Sequence, residues 1–312
     1  MKNSIYKLVC EYKQRIWGGA RLQEVYGFET DVEPLGEAWI VTSLKGNADN
    51  RIEGLEMSLN DLYQNHRELF GTDDDLLPVK AMLIAANDDL SVQVHPNDEY
   101  ALKHDNSLGK PEAWYIIDAK AGARIEYGHT ASSKEEFASK VQEGKWDELL
   151  KYVYPKKGDF LYVQAGMVHA LGKDLLVYEI SKNADLTYRV YDYDRVDNKT
   201  KMKRELHIDK CLDVVRINEE GAGLIHPKGI SKDGCVVTTY MDEPKMFTFK
   251  KIEVADKGEY EQEEFGFYFV NEGKGQINNQ KVQKGETYFV PKGYGKIVFQ
   301  GNLELLLSTY RQ

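Results

Sequence analysis

Residues 90–117, LSVQVHPNDEYALKHDNSLGKPEAWYII, contain the side chains best suited to chemistry. Successive strand residues point to opposite faces. In SVQVH, Gln93 and His95 therefore project one way, and Val92 and Val94 the other. Beyond a polar detour, Glu112 opens a second strand and shares a face with Trp114 and Ile116. His169 follows the strand FLYV across a turn at Ala165 and Gly166. Adjacent antiparallel strands of one barrel could gather an amide oxygen, two imidazoles and a carboxylate. That donor set suits zinc, manganese or iron(II), and so few protein ligands leave coordination positions for water or substrate. Singly, each residue has a plainer reading. A lone histidine is more often just hydrogen-bonded, Glu112 a solvated charge and Gln93 an outward polar group. Their joint spacing favours the metal. His66, His104, His129, His207 and His226 have no matching partner and are read as structural.

Many short segments with period-two alternation, rich in Val, Ile, Tyr and Phe, must position these groups. EAWIVTSL, EAWYIID, GDFLYVQ, LLVYEI, LTYRVYDY, MFTFKKIEV, GFYFVNEG and LELLLSTY are examples. Glycine turns between them indicate a mainly β fold, a sandwich or barrel with few helices. Three stretches read as helical. SLNDLYQNHRELFG has Ser58 as cap, Leu59, Leu62 and Tyr63 inward, and Gly71 as stop. SSKEEFASKVQEGKWDELLKYV has capping-box spacing from Ser133 to Glu136. ELHIDKCLDVVRIN puts Ile208, Leu212, Val215 and Cys211 on one face.

The chain also repeats itself. GDFLYVQAGMVH, from Gly158, aligns without gaps on GETYFVPKGYGK, from Gly285. The last aligned position is His169 in the first copy and Lys296 in the second, and a protonated ammonium has no lone pair for a metal. This pattern suggests a duplicated barrel with a degenerate second half. The polar segment GLIHPKGISKDG then divides a metal-binding unit with helical segments, residues 1–230, from a degenerate unit, residues 231–312.

Composition narrows the partners. The 312 residues are 42% hydrophobic and 29% charged, ample for a buried core. A net charge of −10 argues against nucleic acid or an anionic membrane, while lysines and arginines focused in a cleft can still hold an anionic small molecule. No stretch is apolar enough to span a bilayer, and MKNSIYKLVCEYKQRIWGG lacks the apolar run of a signal peptide. Cys10, Cys211 and Cys235 are widely spaced, as expected of reduced thiols in a cytoplasmic protein. Nothing in the sequence reports the oligomeric state.

GEAWIVTS near residue 36, VQVHPNDEYA at 92, GKPEAWYII at 109, VQAGMVHALG at 163 and EISKNADLTYRVYDYDR at 179 carry a family resemblance. Over most of its length the chain resembles type I mannose-6-phosphate isomerase in its short bacterial form. The resemblance implies duplicated cupin (jelly-roll) barrels and one zinc ion per chain. It also implies interconversion of mannose 6-phosphate and fructose 6-phosphate through a cis-enediol. Carried over, the zinc ligands fall on Gln93, His95, Glu112 and His169, and the active-site arginine on Arg189. Arg189 would stabilise the enediolate or hold phosphate, and its plainer reading is a surface arginine on an alternating strand. Lys110 would orient a hydroxyl or pass a proton, against a solvated loop lysine. Lys80 would bind substrate. Two positions depart from the family: Gln164, where relatives often have proline, and Gly109, where they have histidine. The inserted helical domain of larger members is expected to be absent.

The general base is left open between a lysine of lowered pKa and hydroxide held by the metal, since zinc would occupy Glu112. Two other functions share the same residues: a different metal-dependent cupin enzyme of iron(II) oxygenase type, and a non-catalytic sugar-binding module. Retention of all four donors and Arg189 weighs against the latter.

Overall fold

Alternating apolar side chains give each strand two faces to bury, and the chain buries them by layering sheets. The computed structural model describes residues 2–44, 46–197, 200–218 and 220–312. The fold is mainly β. One five-stranded sheet runs in the order Leu150–Val153, Ile125–His129, His169–Leu171, Val92–Val94 and Tyr188–Tyr191. A six-stranded sheet runs Phe160–Val163, Glu112–Ala119, Leu175–Lys182, Val79–Ala86, Leu35–Val41 and Glu11–Gly19. The third sheet has nine strands: eight from residues 230–309, and Tyr6–Leu8 at one edge, paired with Thr287–Val290. A two-stranded ribbon, Ser43–Leu44 with Ala48–Asp49, completes the set.

Side-chain parity separates the layers. On Val79–Ala86, Ala81, Leu83 and Ala85 face the nine-stranded sheet and pack with Phe249, Phe267, Phe269 and Phe289. Met82, Ile84 and Ala86 face the five-stranded sheet and pack with Ile125, Tyr127 and Leu171. The far side of the five-stranded sheet, Val92, Val94 and Tyr188, is covered by Phe137, Leu149, Cys211 and Val215. Each large apolar side chain buried this way contributes about 1.5–3 kcal/mol. The aromatic seam between the six- and nine-stranded sheets is the main joint of the molecule.

The helices differ from sequence expectation in instructive ways. Leu59–Asn65 forms with Ser58 and Asp61 as a reciprocal capping box, and a 3-10 turn, Arg67–Leu69, leads to Gly71 at φ 62°. The long stretch from 132 to 153 is not one helix. Lys134–Gln142 is helical, Gly144 turns at φ 68°, a short helix follows at Trp146–Leu149, and Leu150–Val153 is a strand. Ser133 caps the first helix, but Glu136 reaches past it to the Ser132 backbone and hydroxyl. Ile208–Val214 is helical with Cys211 buried. Two further helices, Arg21–Tyr26 and Asp98–Asp105, lie outside the three expected stretches. Asp98–Asp105 occupies the polar detour between His95 and Glu112. Asn97 caps it, acids fill its first turn and Lys103 and His104 its last, the polarity that suits the helix dipole. The three cysteines are free thiols.

Candidate metal centre and active site

Glu112 reaches the centre from the six-stranded sheet, where Val163 and Ser181 are its cross-strand neighbours. Gln93 and His169 come from the five-stranded sheet, directly opposite each other. His95 lies one residue past the end of Val92–Val94. Gln93 and His169 thus lie on adjacent antiparallel strands, as expected from sequence, while Glu112 meets them from the facing sheet.

The turn before His169 is held in place with Gln164 at its start. The Gly166 N–H donates to the His95 carbonyl at 2.8 Å, and Met167 N–H to the Gln164 carbonyl at 3.1 Å. At Gly109 only glycine fits. A Cβ there would stand 2.5 Å from the Asn97 carbonyl carbon and 2.6 Å from the Pro96 oxygen.

Both imidazoles are oriented by their outer nitrogens. His95 Nδ1 is 2.7 Å from the Leu186 carbonyl and His169 Nδ1 is 2.8 Å from that of Met167. A carbonyl only accepts, so each Nδ1 carries the proton and each Nε2 is left with a bare lone pair when the ring is neutral. His95 Nε2 stands 3.3 Å from Glu112 Oε2, and His169 Nε2 stands 3.3 Å from Glu112 Oε1. Burial, reinforced by Lys110, pushes the His95 pKa down to about 4 against the pull of Glu112. Acceptors therefore face acceptors in a fully buried space. His95 Nε2 and Glu112 Oε1 have no hydrogen-bond partner. The three donor groups lie within 4.8 Å of one another, and they form the only such cluster among the described residues. The Gln93 amide is 3.3 Å from His169 Nε2, and turning it over presents its oxygen to the same point. These residues fit a divalent cation.

A second ring of charge surrounds the donors. Lys110 Nζ bridges Glu112 Oε2 at 2.6 Å and Glu179 Oε1 at 2.9 Å, and Trp114 Nε1–H donates to Glu179 Oε2 at 3.2 Å. Burial works to discharge Lys110, but the two carboxylates outweigh it and raise its pKa. Burial likewise opposes charge on Glu112, yet Lys110 and His95 hold its carboxyl well below the usual range. Glu179 is pushed up to about 7 by burial and the Glu112 charge. The lysine with a depressed pKa is Lys80, fully buried, with Nζ 3.6 Å from the Trp39 ring centroid and 3.4 Å from Asp185 Oδ1.

Arg189 sits opposite Gln93 in register. Its Nε donates to Ser91 Oγ at 3.3 Å and its Nη1 to the Glu205 carbonyl at 2.8 Å. His207 fixes the Arg189 backbone by accepting its N–H at 3.1 Å. A cavity of about 490 Å³ opens here, with Gln93, Lys110, Trp114, Glu179, Asp185 and Arg189 in its wall. Lys80 stands one layer back, reaching the cavity through Asp185.

Glu179 and Asp185 were missed by sequence reasoning. The signal for Glu179 was present: in LLVYEI it shares a face with Leu175 and Val177, where an apolar residue belongs. Asp185 lies in a loop with no periodicity to mark it.

Residues 5–121 match the family model "Phosphomannose isomerase type I, catalytic domain", and residues 236–310 match "Mannose-6-phosphate isomerase, cupin domain". The chain is 38% identical to mannose-6-phosphate isomerase ManA of Bacillus subtilis, over 95% of this chain and 96% of that protein. It is 36% identical to mannose-6-phosphate isomerase of Streptococcus mutans, over 96% of each. The crystal structure of the mannose 6-phosphate isomerase from Bacillus subtilis superposes with a TM-score of 0.92 at 34% identity, covering 98% of this chain and 99% of that one.

Proposed function

This chain belongs to the type I phosphomannose isomerase family and is an aldose–ketose isomerase, and from that premise we propose that it interconverts mannose 6-phosphate and fructose 6-phosphate through a cis-enediol, with one zinc ion per chain. The observation that carries this reading is the set of inward-facing, unpartnered donor atoms on His95 and Glu112, with His169 and Gln93 beside them. Those four side chains hold the cation. When bound, it supplies Lewis-acid stabilisation of charge on the sugar oxygens, worth several kcal/mol.

The chain's own residues do the rest. Lys110, kept charged between Glu112 and Glu179, orients a sugar hydroxyl or delivers a proton from Nζ. Arg189 stabilises the enediolate or grips the phosphate with its planar, permanently charged guanidinium. Lys80 acts on substrate through Asp185, which it holds at the cavity wall. In this reading residues 1–230 are the catalytic unit, residues 231–312 a metal-free companion, and the enzyme works in the cytoplasm on a phosphorylated hexose. Family membership favours the isomerase over an oxygenase or a sugar-binding module.

Incubating the purified protein with mannose 6-phosphate tests this directly. Fructose 6-phosphate should form, stop forming after chelation, and form again on adding zinc. No conversion in the zinc-loaded protein would overturn the proposal. In deuterated water, proton transfer through the enediol puts deuterium on the sugar carbon.

A further inference from the structure

We propose that a pocket on the outer face of the five-stranded sheet binds a small organic cation, its alkylammonium group held by the Glu126 carboxylate within an aromatic surround.

Parity along Ile125–His129 turns Ile125 and Tyr127 toward the inner core and Glu126 the other way, beside Ala170 on the neighbouring strand. Glu126 is 1% exposed, yet its Oε2 has no hydrogen-bond partner. The nearest cation is inadequate. Arg124 Nε lies 3.6 Å from the other oxygen, Oε1, and its guanidinium stacks over the Tyr152 ring with Cζ 4.5 Å from the centroid. A buried carboxylate with one bare oxygen is unfavourable unless a cation or donors compensate. Burial accordingly pushes the Glu126 pKa up to about 7. A purely structural role would be served better by glutamine or an apolar residue.

Glu126 is one of the residues around a cavity of about 390 Å³ formed with Arg124, Trp146, Tyr152, Tyr191 and Tyr193. Trp146 and Tyr191 stack with centroids 4.2 Å apart, and Tyr193 lies against Tyr191 at 4.8 Å. A strand bulge after Arg189 turns Tyr191 to this outer side, where it packs with the helix-covered core. The rim carries exposed Asp147 and Glu148, while Lys145 is drawn away by Glu143 at 2.7 Å. Aromatic faces attract cations, and an acidic rim favours their entry. None of these residues lines the catalytic cavity.

The test compares butylammonium with 1-butanol, its uncharged counterpart of nearly equal size, by calorimetric titration of the full-length protein. Butylammonium should bind saturably and at least about tenfold tighter than butanol. Glu126→Gln, which keeps the shape and removes the charge, should weaken butylammonium binding at least about tenfold and leave butanol binding and isomerase activity unchanged. Trp146→Leu should weaken it as well, with circular dichroism reporting an intact fold. Equal binding of the two probes, unchanged binding in Glu126→Gln, or no saturable butylammonium binding would each overturn the proposal.

Discussion

Gly158 and Gly285 both turn at φ 89°, and five residues later Val163 and Val290 sit opposite Glu112 and Gly266 respectively. Six residues further, His169 pairs with Gln93 while Lys296 pairs with Glu261. Continuing across the sheets, Glu179 opposes Trp114, and Leu307 opposes Tyr268. One backbone plan is thus used twice with opposite interiors. In the first half, a carboxylate and an imidazole face each other in a buried space. In the second, the carboxylate position is a glycine crowded by neighbouring side chains. A Cβ on Gly266 would lie 2.7 Å from Leu307 Cδ1 and 2.8 Å from Gln262 Nε2. The lesson is that the strand–turn–strand frame supplies positions, and side-chain volume decides whether a position can hold chemistry. The first half carries buried charge that needs a cation to be favourable, and the second carries hydrocarbon that is favourable by itself.

This contrast can be broken from either side. The largest effect should come from His95→Ala or His169→Ala. Each should remove the metal and lower kcat/KM by on the order of 10³-fold, read by metal analysis and steady-state kinetics. Metal retained at full stoichiometry would break the contrast. Gly266→Glu attempts the reverse transplant. It should lower stability by about 3 kcal/mol in thermal unfolding, without adding a second metal, because the carboxylate meets Leu307 in a packed interior. Giving the first half the second half's residue, Glu179→Leu, leaves Lys110 with one carboxylate and Trp114 Nε1–H without its acceptor. Activity should fall roughly 10–100-fold with the metal retained. Lys296→His should do least. Its side chain is 62% exposed and pairs with Glu259 at the surface, so activity should stay within about twofold and the unfolding temperature should hardly move. A second bound metal in that variant would show that a histidine alone suffices.

Much of this was legible in the sequence where the reasoning was local. Alternation gave the strands, the shared face of Glu112, Trp114 and Ile116, and the repeat whose copies end in His169 and Lys296. Opposing sheets were not legible, because pairing between distant strands leaves no local mark. Asp98–Asp105 was hidden by its polarity, since an exposed helix has few apolar residues to reveal a period. The strand Leu150–Val153 was hidden by continuity with a helical pattern, although Gly144 was there to end it. The bulge after Arg189 reverses a face that strict alternation assigns to Tyr191.

Tyr6–Leu8 pairs with Thr287–Phe289, so two segments far apart along the chain must find each other. Until then its edge stays open and the apolar side of the six-stranded sheet that packs with the phenylalanines lacks part of its cover. Such long-range closure makes folding slow and gives the growing chain a period of vulnerability to aggregation. It also makes residues 1–230 a poor fragment to express alone: the scissors would pass through the seam that keeps the protein in solution.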